Sequence, residues 1–194
     1  MVANLKDPSR HRYTLEEYFA LERAGETRYE YWDGEILSMS GGSRQHARIC
    51  SNLHYRLRVQ LEGTGCTAFT GDLAVKTALL PPYRYPDAMV ACRDLLFEKT
   101  EGMDILLNPI VVIEVLSPGT ASRDRNQKRE AYQAISSVQE VLLLSQEAPL
   151  VTRYRREQEE WVREDIGGLA LHVELPAIGC RLAMPEIYEG VLFA

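Results

Sequence analysis

The chain is poor in the features that announce the commoner functions. Its 194 residues include four cysteines, Cys50, Cys66, Cys92 and Cys180, with no C-x-x-C pair and no histidine at a zinc-finger spacing. A structural zinc site is therefore excluded, nothing requires a disulfide, and all four are expected to be small core hydrophobes. No apolar run is long enough to span a bilayer, and the polar start Met1 to Arg12 does not read as a secretory signal, so a cytoplasmic protein with no membrane partner is expected. Basic charge is not in excess: the net charge of −6 counts against wholesale non-specific binding to nucleic acid and leaves room only for a local basic patch. Gly41-Gly42-Ser43 lacks the lysine of a phosphate loop, and there is no G-x-G-x-x-G, G-x-S-x-G or H-E-x-x-H element. No Pro/Ser/Gly-rich linker and no internal repeat divides the chain, which predicts a single domain over 1–194.

What the chain does have is a carboxylate where a structural residue would be apolar. Glu114 lies inside Pro109-Ile-Val-Val-Ile-Glu-Val-Leu116, a β-branched run bounded by proline and by Ser117-Pro118-Gly119. Such a run reads as a central strand covered on both faces, and an ionised carboxylate persists there only if paired or bound to a metal. A second acid, Asp87, follows Tyr85-Pro86 and opens the apolar strand Ala88-Met-Val-Ala-Cys92. Strand alternation puts Asp87 with Met89 and Ala91, and Glu114 with Val112 and Leu116. If the strands are neighbours the two carboxylates converge, and a hard divalent cation such as Mg2+ (or Mn2+) relieves their repulsion.

Lys128 falls on a helix predicted over Thr120 to Ala134, on one face with Asp124, Tyr132 and Ile135. A cation there can orient an attacking water or neutralise a scissile phosphate, and Arg123, Arg125 and Arg129 flank it. The plainer alternative is a buried Glu114–Lys128 ion pair with Asp87 an ordinary turn acid. Glu30 is a further candidate whose plain reading is a solvated strand acid. His46 reads as a core histidine, and Arg153, Arg155 and Arg156 as a solvated hairpin face.

The remaining pattern is mixed. Thr14 and Glu17 form a capping box opening a helix that Gly25 ends, and Asp33-Gly34 turns a hairpin from Arg28–Trp32 to Glu35–Met39. A helix follows to about Glu62, with His46, Cys50, Leu53, Leu57 and Leu61 on one face. Strands are predicted near 67–70, 73–77, 87–92, 110–116 and 141–144, with a last hairpin, 151–154 and 161–163, turning across Glu157 to Glu160. This order predicts an α/β domain with a mixed sheet between helices.

Tyr29-Glu30 with Asp33-Gly34-Glu35, Met39-Ser40 through His46, Tyr85-Pro86-Asp87, Asn108-Pro109, Glu114-Val-Leu-Ser-Pro118 with Thr120, and Asp124 with Lys128 and Tyr132 together resemble the PD-(D/E)XK nuclease superfamily. More closely, the chain from about 13 to 161 resembles the Uma family of restriction-endonuclease-like proteins, whose biological role is undefined. The resemblance implies a restriction-endonuclease-like mixed β-sheet core flanked by helices and a metal-dependent endonuclease acting on DNA, with RNA an alternative substrate. Asp87, Glu114 and the Val115 carbonyl would hold the metal, Lys128 would be the catalytic lysine, and Glu30 matches an acid some relatives supply from the N-terminal region. A homodimer is compatible, because duplex cutters often need two sites.

Two departures stand out. The usual motif lysine, two residues after the second acid, is here Leu116, and Lys128 fits the variant that moves the lysine to the next helix. Many relatives read Glu-Tyr-Trp-x-Val-Asp where this chain has Glu140-Val-Leu-Leu-Leu-Ser145. The competing expectation is an inactive nuclease-fold protein that binds nucleic acid or serves in assembly.

Overall fold

A computed structural model describes residues 11–25, 29–32, 34–38, 42–79, 83–100, 102–116 and 124–193. They fall into two compact units, 1–40 and 41–194.

In the first unit, helix α1 (Leu15–Ala24) begins with the expected capping box. The Glu17 amide donates to the Thr14 hydroxyl at 3.2 Å and the Thr14 amide to the Glu17 carboxylate at 2.7 Å, so two otherwise unsatisfied donors are satisfied reciprocally. Gly25 closes the helix at φ 71°, a conformation that a residue with a Cβ adopts only at a cost. Strands β1 (Tyr29–Trp32) and β2 (Glu35–Ser38) pair antiparallel, with Trp32 opposite Glu35 enclosing the two-residue turn.

The second unit opens with α2 (Arg44–Leu61), capped by the Ser43 hydroxyl, which accepts from the His46 amide. Then come β3 (Cys66–Thr70), β4 (Ala74–Lys76), β5 (Tyr83–Arg84), β6 (Ala88–Cys92), β7 (Phe97–Thr100), β8 (Met103–Leu106) and β9 (Val111–Leu116). A π-helical turn, Asp124–Lys128, runs into the short α3 (Arg129–Gln133). Strands β10 (Glu140–Ser145), β11 (Leu150–Glu157), β12 (Glu160–Gly167), β13 (His172–Leu175) and β14 (Cys180–Ala183), then α4 (Met184–Ile187), complete it.

The main sheet has the order β12-β11-β10-β9-β6-β3, with β9 and β10 parallel and the other neighbours antiparallel. The β-branched run thus becomes an inner strand, every residue of which is buried. Alternation sorts its side chains: Val111, Ile113 and Val115 join Ile49, Leu53 and Leu57 of α2 on one face, while Val112 and Leu116 join Tyr132, Ile135 and Val138 on the other. Val75 and Leu106, from the smaller sheet β5-β4-β8-β7, complete that second cluster. The mixed α/β architecture expected from the residue pattern is the one observed.

Three local expectations need correction. Cys66 and Cys92 are opposite one another in the β3–β6 ladder and form a disulfide, so only Cys50 and Cys180 are free thiols. Sequence spacing alone does not reveal that pair, because it depends on strand register. The final hairpin is longer than predicted: Glu157 and Glu160 pair, and Gln158, at φ 56°, carries the tight turn. The three arginines of β11 are not one solvated face. Arg156 donates to the carbonyls of Gln133, Ile135 and Val138 and lies over the Trp161 ring at 4.7 Å, tying the end of α3 to the sheet. Arg156→Ala is expected to lower stability by about 2–3 kcal/mol, since it strips a cation–π contact and three carbonyl partners together. Urea denaturation checks this; a change within 0.5 kcal/mol or so would refute the strut role.

Candidate functional site

The antiparallel register of β6 and β9 ends with Ala88 opposite Ile113, which brings Asp87, the residue before β6, beside the Glu114–Val115 end of β9. Asp87 precedes the strand, where the pleat no longer dictates its direction, and its Oδ2 accepts the Val115 amide proton at 2.7 Å. Within an extended strand the N–H and C=O of one residue point to the same side. The Val115 carbonyl is therefore directed to the side on which Asp87 sits.

Glu114 is 3% exposed and Lys128 6%. Lys128 Nζ lies 3.4 Å from Glu114 Oε1, and the Tyr132 hydroxyl donates to the same oxygen at 2.6 Å. A cation and a hydroxyl on one oxygen replace part of the hydration that burial takes from this carboxylate. Asp124–Lys128 form a π-helical turn, and Lys128 and Tyr132, expected on one face, converge on Glu114, while the expected alignment with Asp124 lies outside the described side chains.

His46 has a partner that the sequence did not reveal. Its Nε2 lies 3.2 Å from Asp87 Oδ1 and its Nδ1 3.6 Å from Cys50 Sγ. The Asp87 carboxylate above all, and Cys50 after it, push the His46 pKa up to about 10, against a desolvation that works the other way. Burial in turn raises the Cys50 thiol pKa, so this cysteine is not an activated thiolate. Among the described residues His46, Cys50 and Asp87 bring three metal-type donor atoms within 4.8 Å of one another. The legible signal was the one-turn spacing of His46 and Cys50 on the face that α2 turns to the sheet, which the expectation of core residues passed over.

The other candidates divide. Glu30 lies on β1 in the first unit, and its side chain is outside the described residues. Residues 117–123, including Ser117-Pro118 and Arg123, and the side chains of Asp124 and Arg125 are likewise outside them. Arg129 lies over the Tyr154 ring at 5.1 Å and within 2.8 Å of Glu130.

The family profile described as "Uma2: Putative restriction endonuclease" matches residues 15–185. The chain belongs to the Uma2 family. Two uncharacterized proteins of Synechocystis sp. are similar, one 29% identical over the whole length of both chains and one 30% identical over 83% of this chain and 91% of its own. A crystal structure titled as a putative nuclease belonging to DUF820, from Anabaena variabilis, superposes with a TM-score of 0.69 at 20% identity, covering 86% of this chain and 93% of that one. The fold is therefore that of a nuclease-like protein, and the Uma2 resemblance read from the motifs holds. No helix among the described residues is long and apolar enough to cross a membrane.

In this Uma2 chain the departure at 140–145 also has a structural reading. Glu140 is fully buried, with the Ala177 amide at 3.3 Å and Arg153 Nη1 at 3.9 Å from its oxygens. Desolvation raises its pKa, and the Ala177 amide, Arg153 and Arg155 only partly oppose this. A carboxyl whose folded pKa lies above its unfolded value binds more protons in the folded state, so its contribution to stability falls as pH rises past the unfolded value of 4.5. Glu140→Gln is thus expected to stabilise the protein at neutral pH, with the gain shrinking to nothing at acid pH. Thermal melts of both proteins across that range check the sign.

Proposed function

We propose that this protein is a divalent-metal-dependent endonuclease that hydrolyses phosphodiester bonds of DNA. The observation that carries the reading is Asp87 held by the Val115 amide, next in the chain to Glu114, with a buried lysine on that second acid. Asp87, the neighbouring Glu114, a backbone carbonyl on the Asp87 side and the His46 imidazole would make an oxygen-rich donor set suited to Mg2+ or Mn2+.

Asp87, Glu114 and the Val115 carbonyl would hold the ion, which when bound would supply Lewis-acid polarisation of the phosphate and a more acidic water. The chain's own contribution is positional and electrostatic. Lys128, fixed by Glu114, holds a positive charge in a water-poor setting where it can neutralise charge developing on a phosphate oxygen or orient the attacking water. Tyr132 fixes the Glu114 carboxylate from the same side. Asp87 is anchored by the Val115 amide through Oδ2 and by His46 Nε2 through Oδ1, at the edge of a surface groove. Glu30 is assigned the assisting acid, on the family motif alone.

One observation favours a second reading, a nuclease-fold protein without activity: each acid already has a cation of its own, His46 on Asp87 and Lys128 on Glu114. The two readings part on a direct test. Purified protein is incubated with supercoiled plasmid and labelled oligonucleotides in Mg2+ or Mn2+, and its melting temperature is followed against metal concentration. The nuclease reading expects nicked or linear products and a metal-dependent rise in Tm. No cleavage in either metal together with an unmoved Tm would refute it and leave the binding reading.

A further inference from the structure

Helix α2 has a charge composition out of keeping with the rest of the molecule. In a chain of net charge −6, its eighteen residues contain Arg44, Arg48, Arg56 and Arg58 and not one acid. The inward stripe, Ile49, Leu53, Leu57 and Leu61, is buried against the sheet. The outward stripe at helical spacing is Arg44, Arg48, Ser51, Tyr55 and Arg58, all exposed. Arg56 spends its charge on Glu186 and Glu189, but Arg44, Arg48 and Arg58 form no ion pair among the described residues.

Along this helix, between it and β3, runs a groove of about 910 Å³ that reaches from Asp87 past Cys50 and His54 to Tyr55, Arg58 and Thr67. One end of the groove is therefore Asp87, the first of the two candidate acids. Tyr55 is 60% exposed, an aromatic ring presented to solvent with the Arg56 guanidinium 5.3 Å from its centre. Of the arginines on the outward stripe only Arg58 lines this groove, whose acids are Asp87 at the near end and Glu62 at the far end, while Arg44 and Arg48 line a second hollow with Gly190 and Leu192.

We propose that this groove is the binding track for an unpaired polynucleotide strand, entering along α2 and delivering a phosphate to Asp87. The strand's backbone matches the outward stripe of α2, where Arg44 and Arg48 continue the line of Ser51, Tyr55 and Arg58 that borders the groove, since a phosphate chain is the ligand that repeated cations at helical spacing complement. The exposed Tyr55 ring decides between strand and duplex. A base in a duplex has both faces covered by its neighbours, whereas an unpaired base offers a free face to an aromatic platform in a basic groove. The direction of entry rests on the nuclease reading, while the binding does not.

The test measures fluorescence anisotropy of labelled 12-mers, single-stranded DNA, single-stranded RNA and duplex DNA, in EDTA so that no chemistry intervenes. Single strands are expected to bind more tightly than duplex, and their relative affinities assign the sugar. Tyr55→Ala is expected to weaken single-strand binding by about ten-fold, and Tyr55→Phe to restore it. Arg58→Gln should flatten the dependence of log Kd on log salt by about 0.7. Arg163→Glu, on edge strand β12 at the far side of the sheet from β3, should change affinity little by comparison. All these side chains are exposed, and a melting curve verifies each fold. Tighter binding of duplex, or unchanged binding in both the Tyr55→Ala and Arg58→Gln proteins, would overturn the proposal. If binding follows α2 but no metal yields cleavage, the nuclease reading fails and the strand groove stands; if cleavage occurs while the α2 variants bind and cut normally, the reverse holds.

Discussion

Asp87→Asn is expected to reduce metal-dependent cleavage by about 10²–10⁴-fold while leaving the fold in place. Asparagine is nearly isosteric with aspartate, and its carbonyl oxygen can still accept the Val115 amide, so the end of β6 stays anchored. What disappears is the negative charge facing both the groove and His46. The same variant carries an independent readout, because the Asp87 carboxylate is the main reason His46 titrates near 10. Without it the ring should titrate well down toward the ordinary value of 6.5, which NMR of the imidazole protons follows directly. Full cleavage by this variant would remove Asp87 from the catalytic set. An unmoved His46 titration would refute the assigned cause of its shift.

Lys128→Met should cost about 3 kcal/mol of stability in addition to abolishing activity. Removing one partner of a buried pair leaves the other charge uncompensated, at a cost typically of about 3–5 kcal/mol. The lower end applies because the Tyr132 hydroxyl still donates to Glu114. Methionine keeps much of the lysine stem's volume, so little of the loss would come from a cavity. The double variant Lys128→Met with Glu114→Gln removes both charges together and is expected to recover most of the stability but none of the cleavage. Chemical denaturation of the four proteins of this cycle measures the coupling. A single variant as stable as the parent would mean that Glu114 is not held as a charged group by Lys128, and the electrostatic argument for the site would fail with it.

The parts of the fold legible beforehand are those that depend on near neighbours. Thr14 and Glu17 are three residues apart and satisfy each other's backbone, so the start of α1 was readable from two letters. Asp33-Gly34 announced a hairpin for a similarly local reason, and the strands on either side pair as expected. Pro109 to Leu116 announced a doubly covered strand through β-branching alone, and its burial on both faces follows from that composition. Residues whose meaning depends on distant partners were misread. His46 looked like a core histidine until β6 brought Asp87 to it; Cys66 and Cys92 looked like isolated thiols until the β3–β6 register set them opposite. Arg156 looked solvated until its carbonyl partners, some twenty residues earlier, came into reach.

For the site, the letters alone determined that a charged group would be buried at 114 and that an acid would open the strand at 87, since hydropathy patterning and strand boundaries are properties of short segments. Only the tertiary arrangement decided that Asp87 takes the amide proton of the residue after Glu114, that Lys128 and Tyr132 both land on Glu114, and that Asp87, Tyr55 and Arg58 border the same groove. The reason is physical: side-chain alternation tells which way a residue points within its own strand or helix, but which strands become neighbours is settled by burial summed over the whole sheet.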